Sequence, residues 1–253
     1  MRQLLKRNKI YKWLNFKQLI TMSCLLCRAD TPMNQPVCNL CIKSLPVAEK
    51  HCRSCGIPVS LNAPDSCARC LQKKPVFDAC YSAFNYEFPA DHLLKQIKHH
   101  QQLIYLPPVT DQLSRNLIHH YDGREWPQAI LPVPLHNKRL RTRGFDQALL
   151  LARQLVKNLQ PYQSIKLETG LIKRQKHTDP QQGLKASKRR SNIRNAFSMT
   201  GTPHYQYLAI VDDVVTTAET VSEITRLLKK QGVERVDIWC LARTPDHRSS
   251  SPG

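Results

Sequence analysis

The sequence lacks any long hydrophobic stretch. Its apolar runs, such as 149–152 and 208–211, fall far short of the roughly 18 residues that a membrane-spanning helix requires. Residues 1–20 also lack the pattern of a secretory signal, because basic residues are scattered through them and no continuous apolar segment leads to a small-residue cleavage site. We therefore predict a cytoplasmic protein without a membrane span.

Acidic and aromatic residues are scarce as well. The 253 residues include 38 Lys and Arg but only 19 Asp and Glu, which gives a formal net charge of +19. Such an excess indicates a polyanion, a phosphorylated small molecule or an acidic surface as partner, although it can also serve solubility alone. The aromatic content of 7% offers few stacking surfaces for single-stranded nucleic acid. The hydrophobic content of 41% is sufficient for a folded core.

Ten cysteines are present, and eight of them form four C-x-x-C pairs separated by ten, ten and eleven residues. Each pair is half of a tetrahedral zinc site, because the tight turn lets two thiolates converge. Thiols stay reduced in the cytoplasm, which favours metal binding over disulfides. We expect two structural Zn²⁺ ions held by Cys24, Cys27, Cys38, Cys41, Cys52, Cys55, Cys67 and Cys70.

Spacing alone does not fix how these pairs combine. Sequential pairing into a double zinc ribbon is expected, and a cross-braced arrangement stays open. The metal-bound ribbon either packs as a structural module against its neighbouring domain or another protein, or contacts nucleic acid through the basic residues that lie between its cysteine ligands. His51 is expected to lie at the surface or beside the metal ligands rather than to bind the metal. Cys80 and Cys240 have no partner in the sequence and are predicted to be small core residues.

Beyond residue 75 the pattern changes to alternating helices and strands. Apolar spacing predicts helices over 90–101, 109–121, 145–159 and 217–231, the last closed by Gly232, and strands over 129–135, near Leu171, and over 207–212 and 235–242. Residues 138–143 are expected to form a basic loop. This alternation predicts an α/β fold with a doubly wound parallel sheet, whose ligands bind beyond the carboxyl ends of the strands.

The segment 208–220 carries the clearest chemistry, with two carboxylates at the end of a buried strand and a threonine-rich turn before a helix. Carboxylates suit sugar hydroxyls or a divalent cation, and hydroxyls with the free N–H groups of a helix start suit a phosphate. Together they describe a ribose 5-phosphate site. Alternatively, Thr216 and Glu219 form a capping box that closes the helix without an anion.

The segment 208–220 resembles the phosphoribosyl pyrophosphate (PRPP) loop of type I phosphoribosyltransferases. From about residue 24 to 244 the chain resembles the ComF/GntX family of competence and DNA-utilisation proteins. Three further blocks carry that resemblance: the four C-x-x-C pairs; 132–135 leading to 143–148; and Thr178, Gln181, Gly183, Leu184, Arg189, Asn192, Ile193, Ala196 and Phe197.

The resemblance implies a type I phosphoribosyltransferase-like parallel sheet flanked by helices, with a small N-terminal zinc-ribbon module. It divides the chain into a basic tail (1–20), a double zinc ribbon (21–75), the phosphoribosyltransferase-like domain (76–245) and a disordered tail (246–253). It also implies that PRPP binds with Mg²⁺ at Asp212, Asp213, Thr216, Thr217, Ala218, Glu219 and Thr220. The carboxylates would hold the ribose hydroxyls and the threonines the 5-phosphate. The chain departs from the family in having Ala218 where Gly is usual, Glu219 where a small residue is usual, and Asp146 where Asn is more frequent.

Pyrophosphate is the leaving group of such a site, and cations must neutralise it while water is excluded. Arg139, Arg141 and Arg143 suit the first task. The basic segment 173–194, with Gln181 and Arg189, suits a mobile lid. No residue stands out as a general base, so catalytic residues are left unassigned.

Two functions are compatible with the sequence. One is a ComF-like protein that binds PRPP and assists the uptake or use of single-stranded DNA in natural transformation, alongside other competence proteins. The other is a free-standing nucleobase phosphoribosyltransferase with a zinc module as scaffold. Salt-dependent binding of single-stranded DNA distinguishes them.

Overall fold

The computed structural model describes residues 21–32, 35–47, 50–175 and 195–245. Its first part is a small module of two similar halves. The first half contains the antiparallel strands β1 (Thr21–Ser23) and β2 (Asp30–Pro32) and helix α1 (Asn39–Lys43), and the second half contains helix α2 (Ala68–Gln72). Each helix begins directly after a cysteine, Cys38 or Cys67, with nearly the same backbone angles. The predicted tails, 1–20 and 246–253, lie outside the described residues.

The second part is built on a five-stranded parallel sheet. Its strands are β3 (Ala79–Asn85), β4 (Ala129–Pro132), β5 (Lys166–Leu167), β8 (Tyr207–Val215) and β9 (Arg235–Arg243), in the spatial order β3-β9-β8-β4-β5. Two further strands, β6 (Ile172–Arg174) and β7 (Phe197–Met199), form a separate antiparallel pair. Because β8 is the central strand, the segment that follows it emerges in the middle of the carboxyl edge.

Helices cover both faces of this sheet. They are α3 (Ala90–His100), α4 (Leu106–Tyr121), α5 (Asn137–Arg143), α6 (Gln147–Leu159) and α7 (Glu219–Lys230). Along β8, Tyr207 and Ala209 face a core shared with α3, α4 and α6, whereas Leu208 and Ile210 face a second core shared with α7. The predicted parallel α/β fold is confirmed. Within the part of the chain that the structure describes, no helix is long and apolar enough to cross a membrane.

Three local predictions are wrong or incomplete. Residues 138–143 form most of α5 rather than a loop, because the His136 ring caps its start and Gly144, at φ 78°, ends it. Strand β8 continues past Asp212 to Val215, so Asp212 and Asp213 lie within the strand rather than at its end. The structure also contains β3, which the periodicity did not indicate because nearly all of its residues are buried and no alternation marks it.

Strand β3 forms one edge of the sheet, and the zinc module contacts its outer side at the carboxyl end. The Asn85 N–H donates to the Pro46 carbonyl of the zinc module at 2.8 Å. The Asn116 side chain on α4 donates to the Ser82 carbonyl at 3.3 Å. The module thus lies against the edge of the sheet. We propose that the boundary between the zinc module and the α/β domain lies near residue 75.

Candidate functional site

The eight paired cysteines form two tetrads, each with its sulfur atoms within 4.8 Å of one another. The grouping is sequential, as expected: the first tetrad is Cys24, Cys27, Cys38 and Cys41, and the second tetrad is Cys52, Cys55, Cys67 and Cys70. His51 belongs to neither tetrad; burial lowers its pKa. Cys80 and Cys240 are buried in the sheet, as predicted for core residues.

Both tetrads fit a tetrahedral zinc ion. Sulfurs bound at about 2.3 Å from zinc lie about 3.8 Å apart along the edge of the tetrahedron. The Cys27–Cys38 and Cys55–Cys67 sulfurs are each 3.7 Å apart. Although burial raises the pKa of the Cys24 thiol, backbone N–H donors from residues including Cys38 outweigh it and bring the pKa to about 6. Cys24 is thereby favoured to bind as a thiolate, whereas burial raises the pKa of Cys41 in the same tetrad.

A cavity of about 940 Å³ opens at the carboxyl edge of the sheet. It is lined by the whole of the segment 212–220, by the loop after β4 and by Tyr86 from the end of β3. Six basic residues also line it: Lys95, Lys98, Lys138, Arg139, Arg143 and Arg174. The carboxylates, the threonine-rich turn and two of the predicted arginines, Arg139 and Arg143, therefore face one space, at the position where parallel α/β sheets bind ligands.

The two carboxylates of this cavity have opposite electrostatic environments. Burial, together with the charge of Asp213, raises the pKa of Asp212 well above its usual range. Burial acts on Asp213 too, but the Lys98 ammonium outweighs it and lowers the pKa of Asp213. Each carboxylate also accepts the N–H of the following residue at 2.8 Å. The pair is held rigidly, with one member firmly ionised.

Lys98 is the site residue that the sequence did not reveal. Its Nζ lies 2.9 Å from Asp213 Oδ2, and the carboxylate raises its pKa. Lys98 belongs to the predicted helix 90–101, where it is one of several basic residues without a distinguishing motif. Its partner is more than a hundred positions away, so no local pattern connects the two.

The turn after β8 has the geometry expected of a phosphate-binding loop. Ala218 adopts a left-handed conformation with φ 63° and forms the N-cap of α7, which begins at Glu219. No side-chain hydrogen bond caps this helix, so the alternative of a capping box from Thr216 is wrong. The start of α7 lines the cavity, so the positive end of the helix dipole lies at this side of it. The left-handed angle also explains why glycine is usual at this position.

Asp146 does not bring a free negative charge to the loop after β4. Its Oδ1 accepts the Leu149 N–H at 3.1 Å as the N-cap of α6, and its Oδ2 accepts the Leu135 N–H at 3.2 Å. Burial raises its pKa, which these donors partly oppose. The carboxylate thus connects the loop to the start of α6. An asparagine at this position has one side-chain oxygen and could accept one of these two hydrogen bonds in the same way.

Only some of the residues that were predicted to face pyrophosphate line the cavity. Arg139 and Arg143 line the cavity, and Arg143 also donates to Gln147 at 2.8 Å. Arg141 is exposed and does not line it. Gln181 and Arg189 lie outside the described residues, as does most of the segment 173–194. Arg174, at the start of that segment, does line the cavity.

Comparison with known proteins agrees with this architecture. Residues 17–71 match the model of the double zinc ribbon domain, and residues 142–251 match that of the phosphoribosyl transferase domain. Competence protein F of Haemophilus influenzae is 35% identical over 87% of this chain and 96% of its own length. The chain belongs to the ComF/GntX family. DNA utilization protein YhgH of Escherichia coli K12, another relative of this ComF/GntX protein, is 31% identical over the same shares.

Among solved structures, this ComF/GntX protein is similar to a purine phosphoribosyltransferase from Pyrococcus horikoshii. The two are 18% identical, with a TM-score of 0.32, over 53% of this chain and 70% of that one. The assignment to the family rests on the sequence relatives and the two domain models.

Proposed function

We propose that this protein binds PRPP, or a related ribose phosphate, together with Mg²⁺ in the cavity at the carboxyl edge of the sheet. The observation that carries the proposal is that Asp212, Asp213 and the left-handed turn at Ala218 face the same space. Carboxylates are complementary to the hydroxyl groups of a ribose 5-phosphate, and the start of a helix is complementary to its phosphate.

Each element has a separate task in this proposal. Asp212 and Asp213 accept hydrogen bonds from the ribose hydroxyls and supply oxygens of the kind that Mg²⁺ prefers. The hydroxyls of Thr216, Thr217 and Thr220 and the first N–H groups of α7 donate to the 5-phosphate. Mg²⁺ neutralises the pyrophosphate when it is bound, and Arg139 and Arg143 add positive charge on that side of the cavity.

The wider role that we propose is in the use of single-stranded DNA during natural transformation, in the cytoplasm and alongside other competence proteins. The names of the relatives, which refer to competence and DNA utilization, support this role. The net charge of +19 supports it as well, because cationic side chains that track phosphates release counterions on binding. A second candidate function is transfer of ribose phosphate to a free nucleobase, and the Tyr86 ring at the cavity wall would favour it by offering a stacking surface.

Thermal unfolding with ligands tests the binding site. Mg²⁺ with PRPP should raise the melting temperature of the wild type, since a ligand that binds the folded state must stabilise it. The Asp213→Ala variant should lose most of that shift, measured against its own ligand-free melting temperature. The matched control is Asp122→Ala, an exposed carboxylate that does not line the cavity. No shift in the wild type, or an equal shift in both variants, would contradict the proposed site.

Titration with single-stranded DNA tests the wider role. We expect affinity to fall steeply as salt rises from about 50 to 200 mM, in proportion to the phosphates contacted. Absent or salt-insensitive binding, combined with PRPP consumption in the presence of free nucleobases, would instead establish the second candidate.

A further inference from the structure

Arg243, the last residue of β9, forms a buried bridge between the zinc module and the turn after β8. Only 1% of it is exposed. Its Nε donates to the Cys55 carbonyl at 2.9 Å, and one terminal nitrogen donates to the Val215 carbonyl at 2.9 Å and also to the Thr216 carbonyl. One guanidinium therefore holds a zinc-ligand residue and the start of the phosphate-binding turn together.

The composition of this bridge is unusual for a buried arginine. Among the described residues Arg243 pairs with no carboxylate, and its acceptors are main-chain carbonyls, including that of Thr244 at 3.2 Å. A buried charge is tolerated only when its donors are satisfied, so these carbonyls must remain in place. The planar fork of donors fixes their relative positions in a way that a lysine ammonium would not.

Packing joins the same two regions. The second tetrad shares one buried cluster with Val215, Ala218 and Val221. A Cβ on Gly56, the residue after Cys55, would lie 2.6 Å from the Cys80 carbonyl oxygen, so the turn of this tetrad lies directly against β3. The first tetrad packs elsewhere: Cys24 belongs to the cluster of α3, α4 and α6 on the opposite face of the sheet.

We propose that Arg243 is a positioning residue that couples metal loading of the second tetrad to ligand binding at the turn, whereas the first tetrad has no such coupling. Zinc in the second tetrad fixes the position of the Cys55 carbonyl. Arg243 then holds the Val215 and Thr216 carbonyls, so that the turn presents its N–H groups to the cavity. This inference rests on the proposed PRPP site and adds a dependence on one of the two metals.

The two halves of the module provide a matched pair of variants. Cys38 and Cys67 occupy the same position, since each is the N-cap of a short helix and its N–H donates to the first sulfur of its own tetrad, at 3.4 and 3.3 Å. Cys38→Ser and Cys67→Ser therefore make the same chemical change in different tetrads. Metal analysis should find two zinc ions per chain in the wild type and one in each variant.

Calorimetric titration with Mg²⁺ and PRPP then measures the coupling. We expect Cys38→Ser to keep the wild-type dissociation constant within about twofold, and both Cys67→Ser and Arg243→Lys to weaken it about tenfold, within the range of typical coupling between sites. Equal weakening by the two cysteine variants, or no weakening by Arg243→Lys, would overturn the coupling while leaving the PRPP site intact. Absence of binding by the wild type would overturn the proposed function and the coupling together.

Zinc release from the unmodified protein provides a readout that does not depend on the folding of a variant. Because coupling of binding free energies is reciprocal, Mg²⁺ with PRPP should raise the affinity for one of the two zinc ions. We expect this tighter binding to slow the transfer of that ion to a chromogenic chelator and to leave the transfer rate of the other ion unchanged. The Cys38→Ser variant, which keeps the zinc ion of the second tetrad, should still show zinc release that the ligand slows. The Cys67→Ser variant, which keeps the zinc ion of the first tetrad, should show only release that the ligand does not affect. Slowing of both phases, or of neither, would contradict the assignment.

Discussion

Removal of the Lys98 charge should destabilise the protein in a pH-dependent way. The Lys98→Met substitution keeps the length of the side chain but leaves Asp213 beside Asp212 without its cation. The Lys98 and Asp213 side chains are 32% and 17% exposed. Breaking a fully buried ion pair costs about 3–5 kcal/mol, and an exposed pair contributes at most about 1 kcal/mol. For this partly buried pair we expect a loss of about 2 kcal/mol at pH 7.

The sign of the pH dependence follows from the pKa directions. In the wild type, the lowered pKa of Asp213 contributes stability above the unfolded pKa of about 4, and this contribution is lost only as the pH falls below that value. In Lys98→Met, burial raises the pKa values of both carboxylates, so ionising them opposes folding. Lowering the pH from 7 to 5 favours their protonated forms and should narrow the difference in unfolding free energy between the two proteins.

Urea unfolding between pH 5 and 8, followed by tryptophan fluorescence, measures this difference, because Trp239 is buried in the sheet. Lys95→Met is the matched control. Lys95 lies on the same helix and lines the same cavity, but it pairs with Asp91 one helical turn away and is 44% exposed. That control should lose at most about 0.5 kcal/mol. An equal loss in both variants, or a difference that grows as the pH falls, would refute this account of Lys98.

Two further predictions concern stability. Ala218→Gly should have an unfolding free energy within about 0.5 kcal/mol of that of the wild type. Glycine adopts the left-handed φ of this position without strain, a gain of about 1 kcal/mol, and this gain offsets the lost burial of one methyl group, about 0.8 kcal/mol. Ala218→Val should lose more than about 2 kcal/mol in the same urea assay, and equal stability of the two variants would contradict this conformation. Asp237→Asn should cost about 3 kcal/mol, because the buried Asp237 carboxylate accepts from Tyr121 at 2.7 Å and pairs with Arg235 at 3.2 Å. An unchanged urea midpoint for Asp237→Asn would show that this network contributes little.

The parts of the site that follow one another in the chain could be predicted from the sequence. The buried run before Asp212, the threonine turn and the helix after it are local signals, and they placed the carboxylates and the turn in one segment. The cysteine spacing likewise indicated the two halves of each metal site, because each pair needs only a single turn, whereas the sequential combination of the pairs is seen only in the structure. Strand β8 and helix α7 lie within a few residues of where the periodicity puts them.

Contacts that depend on the tertiary fold could not be predicted in this way. Lys98 on α3 reaches Asp213 on β8, and Arg243 at the end of β9 reaches Cys55 of the zinc module, only because the tertiary fold packs these elements together. Helix α5 was missed for another reason: its seven residues include four Lys or Arg and almost no apolar residues, so no hydrophobic periodicity marks it. Its signals are the residues at its ends, His136 and Gly144.

The position of the zinc module also bears on how the protein behaves when metal is scarce. Strand β3 is seven residues long and almost entirely buried, and one of its outer N–H groups is satisfied by the Pro46 carbonyl of the module. An uncovered edge strand is a template on which other chains can add strands. Loss of both zinc ions would free the module from its metal-held geometry and leave this edge less protected. Removal of zinc from the purified protein by a chelator should therefore promote self-association through β3, which light scattering would detect.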